Sequence, residues 1–165
     1  MRNLSSIADL ILKEEDPTSI ESYGVDRLKN HIIVLGYGRL GRKICEKLEA
    51  ASMQYIAIES NIYNVKEAQK QGKNVIFGNA GKKSILESVN IHEASTVIVA
   101  LDNMEKLHLV CDILEKMAPR AKIVAKVNRF KEKDALIEEF PHYEIVVGTE
   151  QVARGMFEAS KVCRI

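Results

Sequence analysis

The chain has no apolar run long enough to cross a bilayer: no window approaches the ~18 consecutive apolar residues of a membrane span. No signal-peptide pattern opens it either. The expectation is a polypeptide that is soluble by itself, with no direct membrane insertion. An excess of basic charge is also missing, with 24 Lys and Arg against 23 Asp and Glu. That balance argues against a nucleic-acid partner held through its phosphates. Cysteine is scarce. Cys45, Cys111 and Cys163 are odd in number, far apart and set in helix-like stretches, without a C-x-x-C or Cys/His cluster. A disulfide framework or zinc site is therefore not expected, and a reduced, cytoplasmic setting fits best. The four histidines, His31, His92, His108 and His142, each lack a neighbouring nucleophile or ligand set, and read as structural or surface residues. There is no low-complexity tract.

What the sequence does have is an apolar run that breaks on glycines and resumes with helical spacing. His31 to Ile44 reads HIIVLGYGRLGRKI, placing Gly36-Tyr37-Gly38-Arg39-Leu40-Gly41 between a buried-type strand and a helix. Glu59 closes the next apolar segment, 18 positions beyond Gly41. A nucleotide phosphate needs close backbone approach, free N–H groups and the positive end of a helix dipole. This turn offers all three. The competing reading, a purely structural glycine turn, leaves the acidic residue in register unexplained.

At 165 residues the chain suits one domain with a substantial core. Strand-like runs are Ile32–Leu35, Tyr55–Ile58, Asn74–Phe77, Thr96–Ala100, Ile123–Val127 and Glu144–Val147. They are rich in Ile and Val and mostly not alternating, as strands covered on both faces should be. Helix-like segments follow at Gly41–Ala51, Ile62–Gln71, Lys82–Val89, Met104–Met117, Lys131–Phe140 and Gln151–Lys161. The pattern predicts an α/β fold: a Rossmann-like, doubly wound parallel sheet of about six strands with helices on both faces.

Residues 1–30 differ. Leu4, Ile7, Ala8 and Ile11 share a helical face, and Glu14 to Pro17 stop the pattern. Residues 1–30 therefore read as a helix and linker, either packed on the domain or tethering it to something larger, ahead of a nucleotide-binding domain over 31–165.

In a doubly wound sheet the ligand lies beyond the carboxyl ends of the strands. Gly36 suits the tight turn, Gly38 the close approach of phosphate, and Gly41 the packing of helix on sheet. Arg39 either contacts phosphate or faces solvent. Glu59 is placed to take both ribose hydroxyls, and its charge would repel a 2′-phosphate, which disfavours NADP. Ser60 and Asn61 assist it or cap the next helix. Gly78-Asn79-Ala80-Gly81 suits an adenine edge, or is a glycine turn. Ala100-Leu101-Asp102-Asn103 lines the pocket or caps the long helix after it, and Lys126 and Arg129 bring two cations to the same edge.

With these residues in place the chain resembles an RCK domain (regulator of potassium conductance), also called a TrkA-N domain, over roughly 29–160. The resemblance rests on VLGYGRLGRKI, on Ala57-Ile58-Glu59, and on Val75-Ile76-Phe77-Gly78-Asn79-Ala80. It continues through Ile98-Val99-Ala100-Leu101-Asp102-Asn103 and Ile123-Val124-Ala125-Lys126-Val127-Asn128. It implies a cytosolic ligand-sensing domain or subunit of a potassium channel or transporter, at the inner face of the membrane through that partner. Such domains bind NAD(H), AMP, ADP or ATP, and form a homodimer or higher even oligomer that turns occupancy into gate movement. By position, Gly36, Tyr37, Gly38, Arg39 and Leu40 would surround phosphate and Glu59 the ribose. Asn79 and Ala80 would flank adenine, with Ala100 and Lys126 completing the pocket. Glu150 would face a nucleotide across the dimer. AMP or NAD(H) is the expected ligand. The family often has Asp where this chain has Asn79, and many members carry a second ligand lobe, so a single-lobe arrangement is expected here.

The rival is a small NAD-dependent oxidoreductase. It would need an acid/base group and substrate-orienting charges, and Lys126 has no visible support as a base. A redox-sensing transcription factor would need a helix-turn-helix, for which residues 1–30 are too short and too acidic. Dimer contacts are sought on helix Met104–Met117, with Leu107, Val110, Cys111 and Leu114, and on the final helix, with Val152, Met156 and Phe157. Core packing is the alternative for each.

Overall fold

A computed structural model describes residues 28–161. The expected helix around Leu4 to Ile11 and the cysteine at 163 lie outside the described residues. Six strands form one sheet: β1 (Ile32–Leu35), β2 (Tyr55–Glu59), β3 (Val75–Phe77), β4 (Thr96–Val99), β5 (Lys122–Val127) and β6 (Glu144–Val147). Their spatial order is β3-β2-β1-β4-β5-β6, and every pairing is parallel. Helices α1 (Arg39–Ala50), α2 (Ile62–Lys70), α3 (Lys83–Ser88), α4 (Met104–Met117), α5 (Phe130–Glu139) and α6 (Gly148–Ser160) alternate with them, and a 3₁₀ turn spans Ile91–Glu93. Among the described residues no helix is long and apolar enough to cross a membrane.

Each helix is set by a stripe of apolar residues. On α1, Gly41, Cys45 and Leu48 recur at helical spacing and are buried. With Tyr37, Tyr55, Ala57, Val65, Ala68 and Val75 they form a core layer beneath α1 and α2. The opposite layer joins Ile33, Leu35, Ile56 and Ile58 to Leu86 of α3, Leu107, Val110, Cys111 and Leu114 of α4, and Leu136 of α5. The four α4 residues weighed above as dimer contacts are thus core. Burial pushes the thiols of Cys45 and Cys111 up to about 12, so both stay neutral and inert.

The helix starts differ from expectation at glycines. α1 begins at Arg39, with Gly38 in extended backbone as its N-cap, and α6 begins at Gly148 itself. Glycine disrupts helix interiors, but at a first position it has little to disrupt.

Burial also divides the sheet. β1 is buried throughout, as are β2 up to Ile58 and β3 up to Ile76. In β4, β5 and β6 buried positions alternate with half-buried or exposed ones. Among the described residues one face of that half stays partly open between α1 and α6, and α6 has no buried residue. Its apolar side chains Val152, Met156 and Phe157 are 63%, 69% and 63% exposed.

Candidate functional site

The strand order reverses between β1 and β4, and the connections that leave β1 and β4 there diverge to open a crevice. The chain leaves β1 through Gly36, whose φ of +100° lies in the region open mainly to glycine. A Cβ there would meet the Ala100 carbonyl oxygen at 2.7 Å. Further on, a Cβ at Gly41 would sit 2.0 Å from the Gly36 carbonyl oxygen, so the turn closes only because residue 41 has no side chain.

Gly38 caps α1 without a side-chain bond, and no acidic residue occupies the first turn. The leading amides of α1 therefore have neither intrahelical nor side-chain acceptors, at the positive end of the helix dipole. By contrast α4 has its own cap, with Asn103 Oδ1 accepting from the Lys106 N–H at 2.9 Å.

Glu59 stands one strand away. Its Oε2 accepts from the Tyr37 N–H at 2.8 Å and its Oε1 from the Asn61 N–H at 2.7 Å. Two backbone amides on different loops thus fix the carboxylate beside the glycine turn, and each oxygen keeps a free lone pair. Asn61 is also the N-cap of α2, with Oδ1 accepting from the Tyr63 N–H at 2.9 Å.

The sequence-derived residues fall around two neighbouring cavities. The smaller, about 230 Å³, is lined by Gly36, Glu59, Ser60, Gly78, Asn79, Ala80 and Leu101, joined by Ile58, Gly81, Lys106, Leu109 and Val110. The larger, about 950 Å³, takes Gly38, Arg39, Leu40, Ala100 and Lys126, with an apolar floor of Ile44, Ile98, Val124 and Val146 and a wall from Val152 of α6. The glycine loop contributes to both.

Four residues stand apart, the first being Asn61, which lines neither cavity and serves as the cap of α2. Gly41 lies buried under the loop. The Tyr37 ring turns into the core, 5% exposed, with the Arg42 guanidinium 5.5 Å from its centroid. Only its backbone faces the loop, and its N–H already serves Glu59. Glu150 lines neither cavity and lies 4.0 Å from Arg154.

Lys126 donates to Asp102 Oδ1 at 2.9 Å, so its charge is partly answered at the rim. Arg129 shares the larger cavity, as expected of two cations at this edge. No histidine lines either cavity. Lys106 and Leu109 were missed by sequence reasoning; the signal for them was their i, i+3 spacing after the Asn103 cap, which aims both at the crevice.

An all-parallel sheet in this order, with a glycine turn into an uncapped helix and an anchored acid after β2, defines a doubly wound domain of the Rossmann type. Residues 32–155 match the profile of the TrkA-N domain. The chain belongs to that family. It is 27% identical over 129 residues to the inner membrane protein YbaL of Escherichia coli, covering 78% of this chain and 23% of that protein. It is 28% identical over 135 residues to potassium channel protein 1 of Methanocaldococcus jannaschii, covering 79% of this chain and 40% of that one. The chain thus spans well under half the length of these relatives.

The crystal structure of the YbaL TrkA-N domain superposes with a TM-score of 0.73, covering 82% of this chain and 99% of that one. Two further likenesses are of fold. The Kef CTD of Shewanella denitrificans in AMP-bound form has a TM-score of 0.64 at 21% identity, covering 80% and 82% of the two chains. The GsuK channel bound to NAD has 0.65 at 19%, covering 73% of this chain and 22% of that one.

Proposed function

We propose that this chain is the regulatory domain or subunit of a potassium channel or transporter, that it binds an adenine nucleotide, and that occupancy rearranges a homodimer to move a gate. The observation that carries the reading is Glu59, held by the Tyr37 and Asn61 amides beside the open first turn of α1. Its two free lone pairs suit the two hydroxyls of a ribose, and its charge opposes a 2′-phosphate, which favours AMP or NAD(H) over NADP. Phosphate would sit on the amides of Gly38, Arg39 and Leu40, with the Arg39 guanidinium as a further donor. The base would enter the smaller cavity, where Gly78, Asn79, Ala80 and Leu101 line the wall. AMP and NAD on neighbours of the same fold support this ligand class.

AMP would end at the loop, whereas NAD(H) would extend past it into the larger cavity. Regulation requires that nucleotide bind one dimer arrangement better than the other, since equal affinity for both shifts nothing. The exposed apolar residues of α6 and the uncovered face beside them supply surface for such a dimer. Glu150, on the first turn of α6, would then face a nucleotide from the partner. A membrane-embedded partner would hold the domain at the cytoplasmic face, with residues 1–30 as the connector.

The test is calorimetric titration with AMP, ADP, ATP, NAD⁺, NADH and NADP⁺. Binding of AMP or NAD(H), with NADP⁺ weaker, is the expected result; no binding by any of the six rejects the proposal. One observation favours the oxidoreductase instead: the larger cavity adjoins the glycine loop and has room for a nicotinamide. Steady oxidation of NADH by a small carbonyl compound would decide for that reading.

A further inference from the structure

The chain enters the sheet through residues 28–31, and one loop holds that entry. Asn90 Nδ2 donates to the Leu28 carbonyl at 2.8 Å, and the Asn30 N–H donates to the Glu93 carbonyl at 2.9 Å. The Ser95 hydroxyl hydrogen is shared between the carbonyls of Asn30 and His31, at 3.0 and 3.1 Å. The Ser95 N–H donates to His31 as well, at 2.9 Å. The His31 ring adds its bond to the Val89 carbonyl at 2.8 Å. Among the described residues, every hydrogen bond made by Leu28 to His31 thus ends between Val89 and Ser95. The Leu28 side chain is buried in the same core layer as Leu86, Val89 and Ile91.

That loop is the far end of the wall of the smaller cavity. Gly78 to Gly81 line the cavity. Their turn runs by hydrogen bonds into α3, with the Lys82 N–H on the Asn79 carbonyl at 2.9 Å and the Ile85 N–H on the Lys82 carbonyl at 3.1 Å. A Cβ at Gly78 would meet Ile85 Cγ2 at 2.7 Å, so α3 packs directly on the wall. At the other end of α3, the Val89 and Asn90 N–H groups bond back to the Leu86 and Glu87 carbonyls at 3.3 and 2.9 Å. Leu86, Val89 and Ile91 are fully buried. One short helix, about 9 Å long, therefore separates the ligand wall from the clamp on the entering chain. A segment this short, packed at both ends and closed by its own bonds, opens as a unit rather than residue by residue.

Resting on the nucleotide reading, we propose that residues 78–95 and 28–31 open and close together, and that a nucleotide against Gly78 to Ala80 holds both closed. Occupancy is thereby read out where the connector enters the domain. The differential affinity that regulation requires lies in this unit, because the wall offers its contacts to a ligand only when closed.

Amide hydrogen exchange followed by NMR on the full chain tests this, with AMP as the probe and its binding measured by calorimetry. The Lys82 N–H reports the wall, the Asn30 N–H the clamp, and the Phe140 N–H, bonded to Leu136 in the other half, is the reference. AMP at ten times its Kd should slow Lys82 and Asn30 together by about tenfold. Asn90→Gly removes the bond to Leu28, and glycine accepts the φ of 56° at that position. It should speed Asn30 and Lys82 by the same factor, about fivefold, and Phe140 by less. Ser95→Ala, which keeps the backbone bond, should act on both amides in the same direction. A variant that speeds Asn30 and leaves Lys82 unmoved overturns the coupling, as does bound AMP that slows Lys82 alone or slows all three amides equally. Each of those results leaves the nucleotide reading intact. If calorimetry shows no AMP binding, the closure by nucleotide proposed here is overturned, while binding of NADH in the same assay would still sustain the nucleotide reading.

Discussion

The two halves of the sheet are built from similar residues and covered differently. In β1 to β3, Ile33, Val34, Leu35, Ile56, Ala57 and Val75 are at most 1% exposed, under α1 and α2 on one face and α3 and α4 on the other. In β4 to β6, Val97, Val99 and Ala125 are equally buried on the α4 and α5 side. Their neighbours Ile98, Val124 and Val146 are only half-buried and floor the larger cavity. The first half is covered on both faces, and there the Tyr37 and Asn61 amides hold Glu59 against two loops at once. The second half leaves apolar surface that the described fold does not use. Among the described residues, evenly apolar strands with uneven cover leave exposed apolar surface on that face.

Core truncation breaks the comparison most directly. Ile56→Ala removes a side chain packed on every side and should cost about 2–5 kcal/mol. Ile98→Ala removes the same atoms from a surface already half in contact with solvent, and roughly 1 kcal/mol is expected there. Urea unfolding of the two variants at low protein concentration measures both. Equal losses would mean that the second half is covered in solution.

The site belongs to the covered half, and the next effect is read there. Glu59→Ala should weaken nucleotide binding by ~1–3 kcal/mol, the value of charge-assisted bonds to ribose hydroxyls. It also leaves the Tyr37 and Asn61 amides without their acceptor, so part of any loss would come from a loosened loop. Glu59→Gln separates the two causes, since its one carbonyl can still satisfy an amide while the charge is gone. Titration calorimetry beside thermal unfolding shows which applies: weak binding with unchanged stability in the Gln variant assigns the loss to the ribose contact.

How much of this was legible in the sequence follows the same division. Six Ile/Val-rich runs and a glycine turn announce the sheet and its ligand edge, because strand burial and close backbone approach demand those residue types. The register of Glu59 with the turn was legible for the same reason. The uncovered face was not, because a strand with one covered face and one awaiting cover has the same apolar composition as a fully buried one. Tyr37 misled through its place in the loop: backbone position says nothing about where a ring turns, and here it turns into the core. Asn79 was legible as a polar position after β3, whereas the bond from the Gly81 N–H to its amide oxygen is seen only in the structure.

His31 lies at the seam between the halves, at the foot of β1, and gives a smaller effect. Its ring is fully buried, with Nε2 donating to the Val89 carbonyl at 2.8 Å and Nδ1 without a partner among the described residues. Burial holds its pKa below the ordinary value of 6.5, opposed by the Val89 bond and the charge of Glu93. The folded state therefore binds fewer protons here than the unfolded state, and stability falls as pH drops through and below about 6.5. Between pH 8 and pH 5 the melting temperature should decline, and His31→Gln, which keeps a donor for Val89, should flatten that decline. Parallel slopes for the two proteins would remove His31 from the account.

The smallest change in folding stability is expected at Phe157. Its ring is 63% exposed and touches little of the fold except the Lys161 ammonium, 5.0 Å from the ring centroid. Phe157→Asp should therefore leave the unfolding free energy of the monomer within about 0.5 kcal/mol. The consequence for association runs the other way. A charge beside Val152 and Met156 would be desolvated in any dimer that buries this helix, at a cost the neighbouring apolar contacts do not offset. Sedimentation velocity should then show wild-type protein shifting to a dimer with concentration, while the variant stays monomeric with an unchanged melting curve. A variant that dimerises like the wild type would mean that α6 is not the contact, and that the apolar floor of β4 to β6 is covered by a ligand rather than by a second copy.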